Sequence, residues 1–179
     1  MKTLFGSLLI TMLLTGCNSM KPRDFKEGEP KLSLFDYFEG KTSAWGIFED
    51  RFGNVRRQFQ VAIVGRIEGD EITLDERFTY NDGEKDHRIW RIRKTVDHTY
   101  EGESDDVIGT AKGVVQGNAL NWTYDLNLKV GDSTYKVHFN DWMFLQSGDV
   151  MINRAKLSKW GFDIGEVTLF FVKPADVAG

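Results

Sequence analysis

Four charged side chains interrupt stretches of sequence in which alternate residues are otherwise apolar. They are Glu76, Arg88, Asp141 and Arg154. Each has an apolar or aromatic residue two positions away, as Glu76 has Leu74 and Phe78. Because an unpaired charge inside a protein costs on the order of several kcal/mol, each must be paired or hydrated. Two acids and two bases are able to pair with one another.

Two interpretations of these charges remain open. In the first, interior salt bridges fix the register of neighbouring strands. In the second, they form a polar spot in an apolar cavity, where Arg88 or Arg154 grips a carboxylate or phosphate head group through a bidentate fork. Aromatic residues such as Phe139 and Phe170 would then line the ligand's tail. The predicted ligand-binding residues are Glu76, Arg88, Trp90, Trp122, Tyr124, Asp141, Trp142 and Arg154.

Catalytic and metal-binding motifs are not evident in the sequence. It has no Gly-x-Ser-x-Gly elbow, no His-Glu-x-x-His and no phosphate-binding glycine pattern. His87, His98 and His138 are too scattered for a local metal motif, so we predict no metal or other cofactor. An acid and base pair of His138 with Asp141 or Glu76 would need the fold to bring them together. The sequence does not favour an enzyme but leaves that question open.

The single cysteine lies at the end of an N-terminal segment that is typical of secreted bacterial proteins. Lys2 precedes an apolar run over residues 4–14. A membrane-spanning helix needs about 20 apolar residues, whereas a signal peptide needs roughly 7 to 15. Leu14-Thr15-Gly16-Cys17 matches the lipobox of bacterial lipoproteins, in which the thiol of the final cysteine receives a diacylglycerol. We predict that residues 1–16 are a signal peptide that is cleaved before a lipidated Cys17.

A lipidated Cys17 would hold the protein on a membrane, since several acyl chains exceed the threshold for stable anchoring. Asn18 replaces the aspartate that usually signals inner-membrane retention, so we expect the outer membrane, facing the periplasm, with the inner membrane as the alternative. The polar residues 17–30 suit a tether. The remaining chain has the length of one domain, predicted over residues 31–173, and a tail over residues 174–179.

The charge balance bears on possible partners. The formal net charge is −4, and removing residues 1–16 makes it more negative, because Lys2 is their only charged side chain. Nucleic-acid binders generally carry a basic stripe, which this chain lacks. We therefore expect a membrane partner through the anchor, a lipid or small hydrophobic ligand, and no nucleic acid. Protein partners and oligomeric state do not follow from the sequence.

Short strand-like runs must position the candidate residues. Ten runs, an upper count, are separated by turn residues such as Asn81-Asp82-Gly83 and Gly117-Asn118. From Leu120 to Val130, apolar and aromatic residues occupy every second position, which predicts one buried and one hydrated face. The predicted runs are residues 42–50, 55–67, 70–80, 86–95, 98–103, 107–116, 118–130, 133–145, 148–158 and 162–173.

This pattern predicts an all-β fold, an up-and-down antiparallel lipocalin-like (calycin-type) β-barrel of about 8–10 strands. Leu34 and Phe38, spaced four residues apart, predict a short N-terminal helical turn that plugs one barrel end. A two-sheet sandwich is the rival, but its crossing connections are usually longer than these turns. Charges such as Asp125 and Lys129 on the hydrated face argue against a barrel that faces lipid.

The chain resembles the bacterial lipoproteins of the family Domain of Unknown Function 3833 (DUF3833) over nearly all of its mature length. The order and spacing of several short elements carry the resemblance. They are Phe38-Glu39-Gly40, Trp45-Gly46, Asp50-Arg51-Phe52-Gly53, Leu74-Asp75-Glu76 with Phe78, Asp82-Gly83-Glu84, Arg88-Ile89-Trp90, Tyr100-Glu101-Gly102, Asp106-Val107 with Gly109, Ala111 and Gly113, Gly117-Asn118-Ala119 with Trp122 and Tyr124, Asp141-Trp142-Met143, and Asn153. The resemblance implies a lipoprotein of no settled activity and supplies no catalytic residues.

Three functional hypotheses follow. The first is a lipid-anchored periplasmic barrel that binds a fatty-acyl or other amphipathic ligand. The second is a structural or accessory envelope lipoprotein whose filled barrel is a platform for partner proteins. The third is an enzyme that acts on lipid-derived substrates with Glu76, His138 or Asp141 as acid and base. The identity of the ligand does not follow from the sequence.

Overall fold

The computed structural model describes residues 19–96, 98–130 and 132–174, and of Val130 only the backbone. The predicted signal peptide, Cys17 and residues 175–179 of the predicted tail lie outside these described residues.

Ten antiparallel strands form the body of the protein within the described residues. Each strand pairs with the next along the chain, and β1 also pairs with β10, which closes the sheet into a barrel. The strands are β1 (Gly40–Asp50), β2 (Val55–Glu68), β3 (Glu71–Tyr80), β4 (Lys85–Lys94), β5 (Thr99–Glu103), β6 (Val107–Gln116), β7 (Ala119–Val130), β8 (Ser133–Leu145), β9 (Val150–Lys159) and β10 (Phe162–Val172). The predicted lipocalin-like up-and-down barrel is confirmed, with the full predicted number of strands.

Alternation along the strands divides the barrel into an interior and an exterior. In β7, Leu120, Trp122, Tyr124 and Leu126 are all buried, and the residues between them are more exposed. Such a two-residue period places every second side chain in the core because successive side chains of a strand point to opposite faces. The predicted buried face of β7 is confirmed.

A short helix lies at the barrel end where β1 begins. Helix α1 (Leu34–Phe38) buries Leu34 and Phe38, which keep only 2% and 4% of their surface exposed. Gly65 of β2 allows this close approach, since a Cβ atom there would lie 1.9 Å from the Phe38 carbonyl oxygen. The predicted helical turn is confirmed, and its apolar side chains form the floor of the barrel.

The segment before α1 packs on the outside of the barrel. A 3-10 helix, Pro22–Phe25, places the Phe25 ring 5.6 Å from Trp142 and 5.3 Å from Phe144. The Leu32 amide donates a hydrogen bond to the Gly117 carbonyl at 2.8 Å. Part of the predicted tether is therefore attached to the wall. None of the described helices has the length and apolar character that crossing a membrane requires.

A candidate ligand-binding cavity

The barrel encloses a cavity of about 490 Å³. This volume falls within the roughly 300–1,000 Å³ typical of sites for small molecules. Leu34 and Phe38 line its floor, and apolar side chains from most strands line its wall. The platform hypothesis predicts a barrel whose interior is filled by side chains, and this cavity does not agree with that prediction.

Four aromatic side chains form a continuous wall on one side of the cavity. The Trp90 ring centroid lies 5.8 Å from that of Trp122 and 5.3 Å from that of Tyr124, in edge-to-face arrangements. Tyr124 stacks on Phe139 at 5.0 Å. Such pairs add about 0.5–1.5 kcal/mol beyond the burial of their area, so these contacts stabilise the wall.

Two glycines make room for the central tryptophan of that wall. A Cβ atom at Gly102 would lie 2.6 Å from the Trp122 ring, and one at Gly113 would lie 2.2 Å from it. Gly113 is the direct cross-strand neighbour of Trp122 in the pairing of β6 with β7. The absence of side chains at these two positions therefore allows the large indole ring to pack against the backbone of β5 and β6.

A cluster of polar groups extends from the apolar interior to Asp106, whose side chain is 33% exposed. We call it the polar cluster and define it as Glu76, Arg88, Asp106, Tyr124 and Asp141. Glu76 and Arg88 are direct neighbours across β3 and β4. The Arg88 guanidinium donates hydrogen bonds from Nε and Nη2 to Asp106 Oδ2, at 3.0 and 2.6 Å. One guanidinium and three carboxyl groups thus share this part of the barrel.

Burial changes the acidity of two carboxyl groups of the polar cluster. It raises the pKa of Glu76 to about 7, although the nearby Arg88 charge opposes the increase. It also raises the pKa of Asp141 to about 7, against the opposing effects of the Tyr124 hydroxyl and Arg88. Perturbed carboxyl groups inside a cavity are a common mark of functional sites.

Two carboxylate oxygens of the polar cluster lack hydrogen-bond partners. Asp141 is 5% exposed, and its Oδ1 atom has no partner among the described residues. The same holds for Asp106 Oδ1. An unsatisfied buried polar atom typically costs about 1–3 kcal/mol, so native structures seldom keep one without a reason. Asp141 is one of the side chains that line the cavity, and its unpartnered Oδ1 atom is buried at the wall.

Charged side chains line the mouth of the cavity, at the end opposite to α1. Arg57 lies over the Tyr80 ring at 3.6 Å and pairs with Asp82 at 3.3 Å and with Glu84. Arg56 pairs with Asp50 at 2.6 Å. These two arginines are therefore already engaged by acids of the rim.

Six of the eight predicted ligand-binding residues line the cavity together. They are Glu76, Arg88, Trp90, Trp122, Tyr124 and Asp141. Their placement inside the barrel agrees with the alternation seen in the sequence, and their contact with a ligand stays a prediction. The predicted pairing differs in detail, because Arg88 bonds to Asp106 and not to one of the three other charges singled out in the sequence.

The prediction that Arg154 faces the interior is wrong. In β9 the buried residues are Met151, Asn153, Ala155 and Leu157, which have the opposite parity. The Arg154 side chain is 60% exposed and donates hydrogen bonds to Glu166 at 2.8 and 3.0 Å. Phe170 is likewise outside, 45% exposed, and its neighbour Phe171 lines the cavity instead.

Trp142 is buried, but on the outer face of the barrel and not in the cavity. It lies beneath the N-terminal segment, where it contacts Phe25 and stacks on Phe144. His138 also projects outward, with its ring bonded to Asp125 at 2.8 Å. The acid and base pair of His138 with Asp141 is therefore not formed. Among the described residues, no group of three or more His, Cys, Asp and Glu side chains is arranged to hold a metal ion.

Asp106 is the cluster member that the sequence did not identify. It lies in the turn between β5 and β6, where an aspartate is ordinarily explained by turn chemistry. Asn153 lines the cavity but is not among the ligand-binding residues predicted from the sequence. It is 1% exposed, and its Nδ2 atom donates a hydrogen bond to the Trp142 carbonyl at 3.2 Å.

Comparison with known proteins places the fold and the family. No curated protein sequence matches the chain. Among solved structures, the S-type phycobiliprotein lyase CPES from Guillardia theta is similar, with a TM-score of 0.60 and 8% sequence identity. The alignment covers 87% of this chain and 98% of the lyase. At this identity the likeness establishes a shared fold and nothing about ligands.

The family assignment comes from sequence. Residues 11–173 match the family described as protein of unknown function (DUF3833). This match spans most of the 179 residues and includes all ten strands up to Val172. The chain therefore belongs to the DUF3833 family.

Proposed function

We propose that this protein binds an amphipathic ligand with a hydrophobic tail, such as a fatty-acyl chain, inside its barrel. The observation that carries the proposal is a closed barrel with a largely apolar cavity of about 490 Å³ that contains a polar cluster. Apolar walls with a few convergent polar groups are the usual composition of ligand sites. The similar fold of a phycobiliprotein lyase, an enzyme by its name, is consistent with a ligand-binding role for this barrel.

We also propose that the mature protein is anchored through lipid on Cys17 and faces the periplasm from the outer membrane. The lipobox Leu14-Thr15-Gly16-Cys17 supports this part of the proposal. An anchored barrel would meet membrane-derived ligands at high local concentration, because the tether keeps the cavity near the bilayer.

Native mass spectrometry of the protein purified from its own host tests the binding function. A ligand held without covalent bonds adds mass that is lost on collisional activation, whereas the lipid on Cys17 stays attached. We expect such a dissociable mass, with a hydrophobic molecule in the organic extract. The bare protein mass, together with no uptake of the neutral fluorescent probe 1-N-phenylnaphthylamine, would overturn the proposal.

A further inference from the structure

The chemistry of the polar cluster bears on which ligand group the cavity takes, given the binding function proposed above. Arg88 is the cluster's only cation. Its Nε and Nη2 atoms both donate to Asp106 Oδ2, and Glu76 faces it across the strands. The bidentate donors that would grip a ligand carboxylate are therefore already engaged by a carboxylate of the protein.

Asp141 offers the opposite chemistry. It is directly opposite Trp122 in the pairing of β7 with β8, so it lies in the aromatic wall. It is 5% exposed, and Oδ1 has no partner among the described residues. A carboxylate accepts hydrogen bonds and donates none, so its free oxygen suits a donor group or a cation.

The net charge of the polar cluster also disfavours an anionic ligand group. Asp106 balances Arg88, which leaves the carboxyl groups of Glu76 and Asp141 without a second cation. Because burial raises the pKa of both to about 7, the cluster ranges from neutral to negative and does not become positive near neutral pH. An anionic head group placed here would be a buried charge without a counter-ion, which is strongly unfavourable.

We infer that the polar cluster takes a ligand group that donates hydrogen bonds, an amine or a hydroxyl, and excludes a carboxylate or phosphate. The carboxyl groups of Asp141 and Glu76 accept from this group, and the Trp90–Trp122 wall packs against the adjoining hydrocarbon. This ligand class rests on the binding function proposed above, and it replaces the expected anionic head group at Arg88.

The cations at the cavity mouth do not change this assignment. Arg56 and Arg57 are paired with Asp50, Asp82 and Glu84. Lys129 also lines the mouth, and its side chain is exposed. An anion attracted to Lys129 would bind at the rim, and its affinity would not depend on Asp141.

A matched series of ligands tests the inference. Decylamine, decanol and decanoate share one hydrocarbon chain and differ only in the polar group. Each is titrated at pH 8 against the protein loaded with 1-N-phenylnaphthylamine, and displacement of the probe is followed by fluorescence. We expect decylamine to bind at least about tenfold more tightly than decanoate, since a hydrogen bond to a charged group commonly contributes that much.

Substitution of the acceptor links the preference to one residue. Asp141→Asn, in which an amide of equal size replaces the carboxylate, should reduce the preference for decylamine to within about threefold. Asp125→Asn is the matched control, because Asp125 lies next to Tyr124 on the outer face of β7 and pairs with Lys136 at 2.9 Å. Glu76→Gln provides a second interior variant should Asp141→Asn fold poorly, as judged by thermal denaturation.

The possible results separate the inference from the function on which it rests. Decanoate binding as tightly as decylamine, or a preference that Asp141→Asn and Glu76→Gln both leave unchanged, overturns the inference while the binding function stands. Failure of all three compounds, and of the probe itself, to bind removes the binding function and the inference together.

Discussion

Glu76 and Arg88 face each other across β3 and β4, yet the guanidinium of Arg88 bonds to Asp106 from a turn that follows β5. Asp106 thereby connects a turn near the cavity mouth to the middle of the barrel. The Arg88 charge lowers the pKa of the Glu76 carboxyl without forming an ion pair with it, but burial outweighs this effect and raises that pKa to about 7. Asp106 therefore helps to position Arg88, and its charge adds to the effect of burial on the pKa of Glu76.

Removal of the Asp106 charge should loosen this arrangement. Asp106→Asn is expected to lower the free energy of unfolding by about 1–3 kcal/mol, because Arg88 loses its charged partner. It should also lower the pKa of Glu76, since the Asp106 charge raises it. Urea denaturation and a carboxyl NMR titration measure the two effects. Asp105→Asn, an exposed neighbour in the same turn, is the control, and an equal loss of stability there would contradict the role of Asp106.

The buried acids predict how stability depends on pH. The folded protein holds protons on Glu76 and Asp141 up to about pH 7, whereas in the unfolded chain they ionise near 4.5 and 3.8. The folded state therefore binds more protons in this window, so the free energy of unfolding should fall as pH rises from about 4 to about 7 and then level off. Carboxylates with a lowered pKa, such as Asp75, have the opposite effect on the free energy of unfolding, but only below about pH 3.8.

Chemical denaturation at a series of pH values checks this dependence. The double variant Glu76→Gln with Asp141→Asn should remove the fall between pH 4 and pH 7. Asp125→Asn with Glu101→Gln, two acids of the outer surface that pair with lysines, should keep it. A profile in the interior double variant that matches the wild type would show that these two groups do not ionise as proposed.

Strand alternation made most of the fold predictable. β7 shows the clearest case, because polar and apolar residues alternate from Leu120 to Val130, and its interior face agrees with the prediction. In β9 both faces carry apolar residues, with Val150 and Ile152 on one and Met151 and Leu157 on the other. The pattern of that strand alone therefore did not reveal on which face Arg154 lies.

Contacts between distant parts of the chain account for the other errors. Trp142 has the composition of a pocket residue, but its burial depends on Phe25, more than a hundred residues earlier. Asp106 enters the cluster only because its turn folds back towards Arg88. Neither relationship leaves a periodic signal in the sequence, since periodicity reports the face of one element and not what covers it.

Filling the cavity should weaken ligand binding without unfolding the barrel. Ala155 is 3% exposed and lines the cavity, so Ala155→Phe places a ring in the space where a ligand tail would lie. We expect affinity for 1-N-phenylnaphthylamine to fall at least tenfold, roughly the effect of losing one well-packed hydrophobic group. Ala62→Phe, on the exposed outer face of β2, is the control. Unchanged binding in a folded Ala155→Phe protein would place the probe elsewhere.

The contact between Phe25 and Trp142 should hold the N-terminal segment on the barrel. Phe25→Ala removes the ring that packs on Trp142 and Phe144, at an expected cost of about 1–2 kcal/mol, since each aromatic pair contributes about 0.5–1.5 kcal/mol. Arg23 and Lys26 are already exposed, but release of the segment would free their backbone to enter the active site of trypsin, so cleavage there should accelerate. Phe52→Ala is the control, because Phe52 is 73% exposed. Equal cleavage rates in wild type and Phe25→Ala would mean that the segment is held by other contacts.

Attachment to a membrane should depend on Cys17, because its thiol is the proposed acceptor of diacylglycerol. Cys17→Ser is expected to lose incorporation of radiolabelled palmitate and to appear as an uncleaved precursor, since the peptidase that processes lipoproteins acts after lipidation. Ser19→Ala, two residues later, is the control and should be labelled normally. In a Gram-negative host, Asn18→Asp should keep the label but shift the protein from the outer to the inner membrane on a density gradient. Labelling that persists in Cys17→Ser would refute the anchor, whereas an unchanged gradient position in Asn18→Asp would refute only the sorting signal.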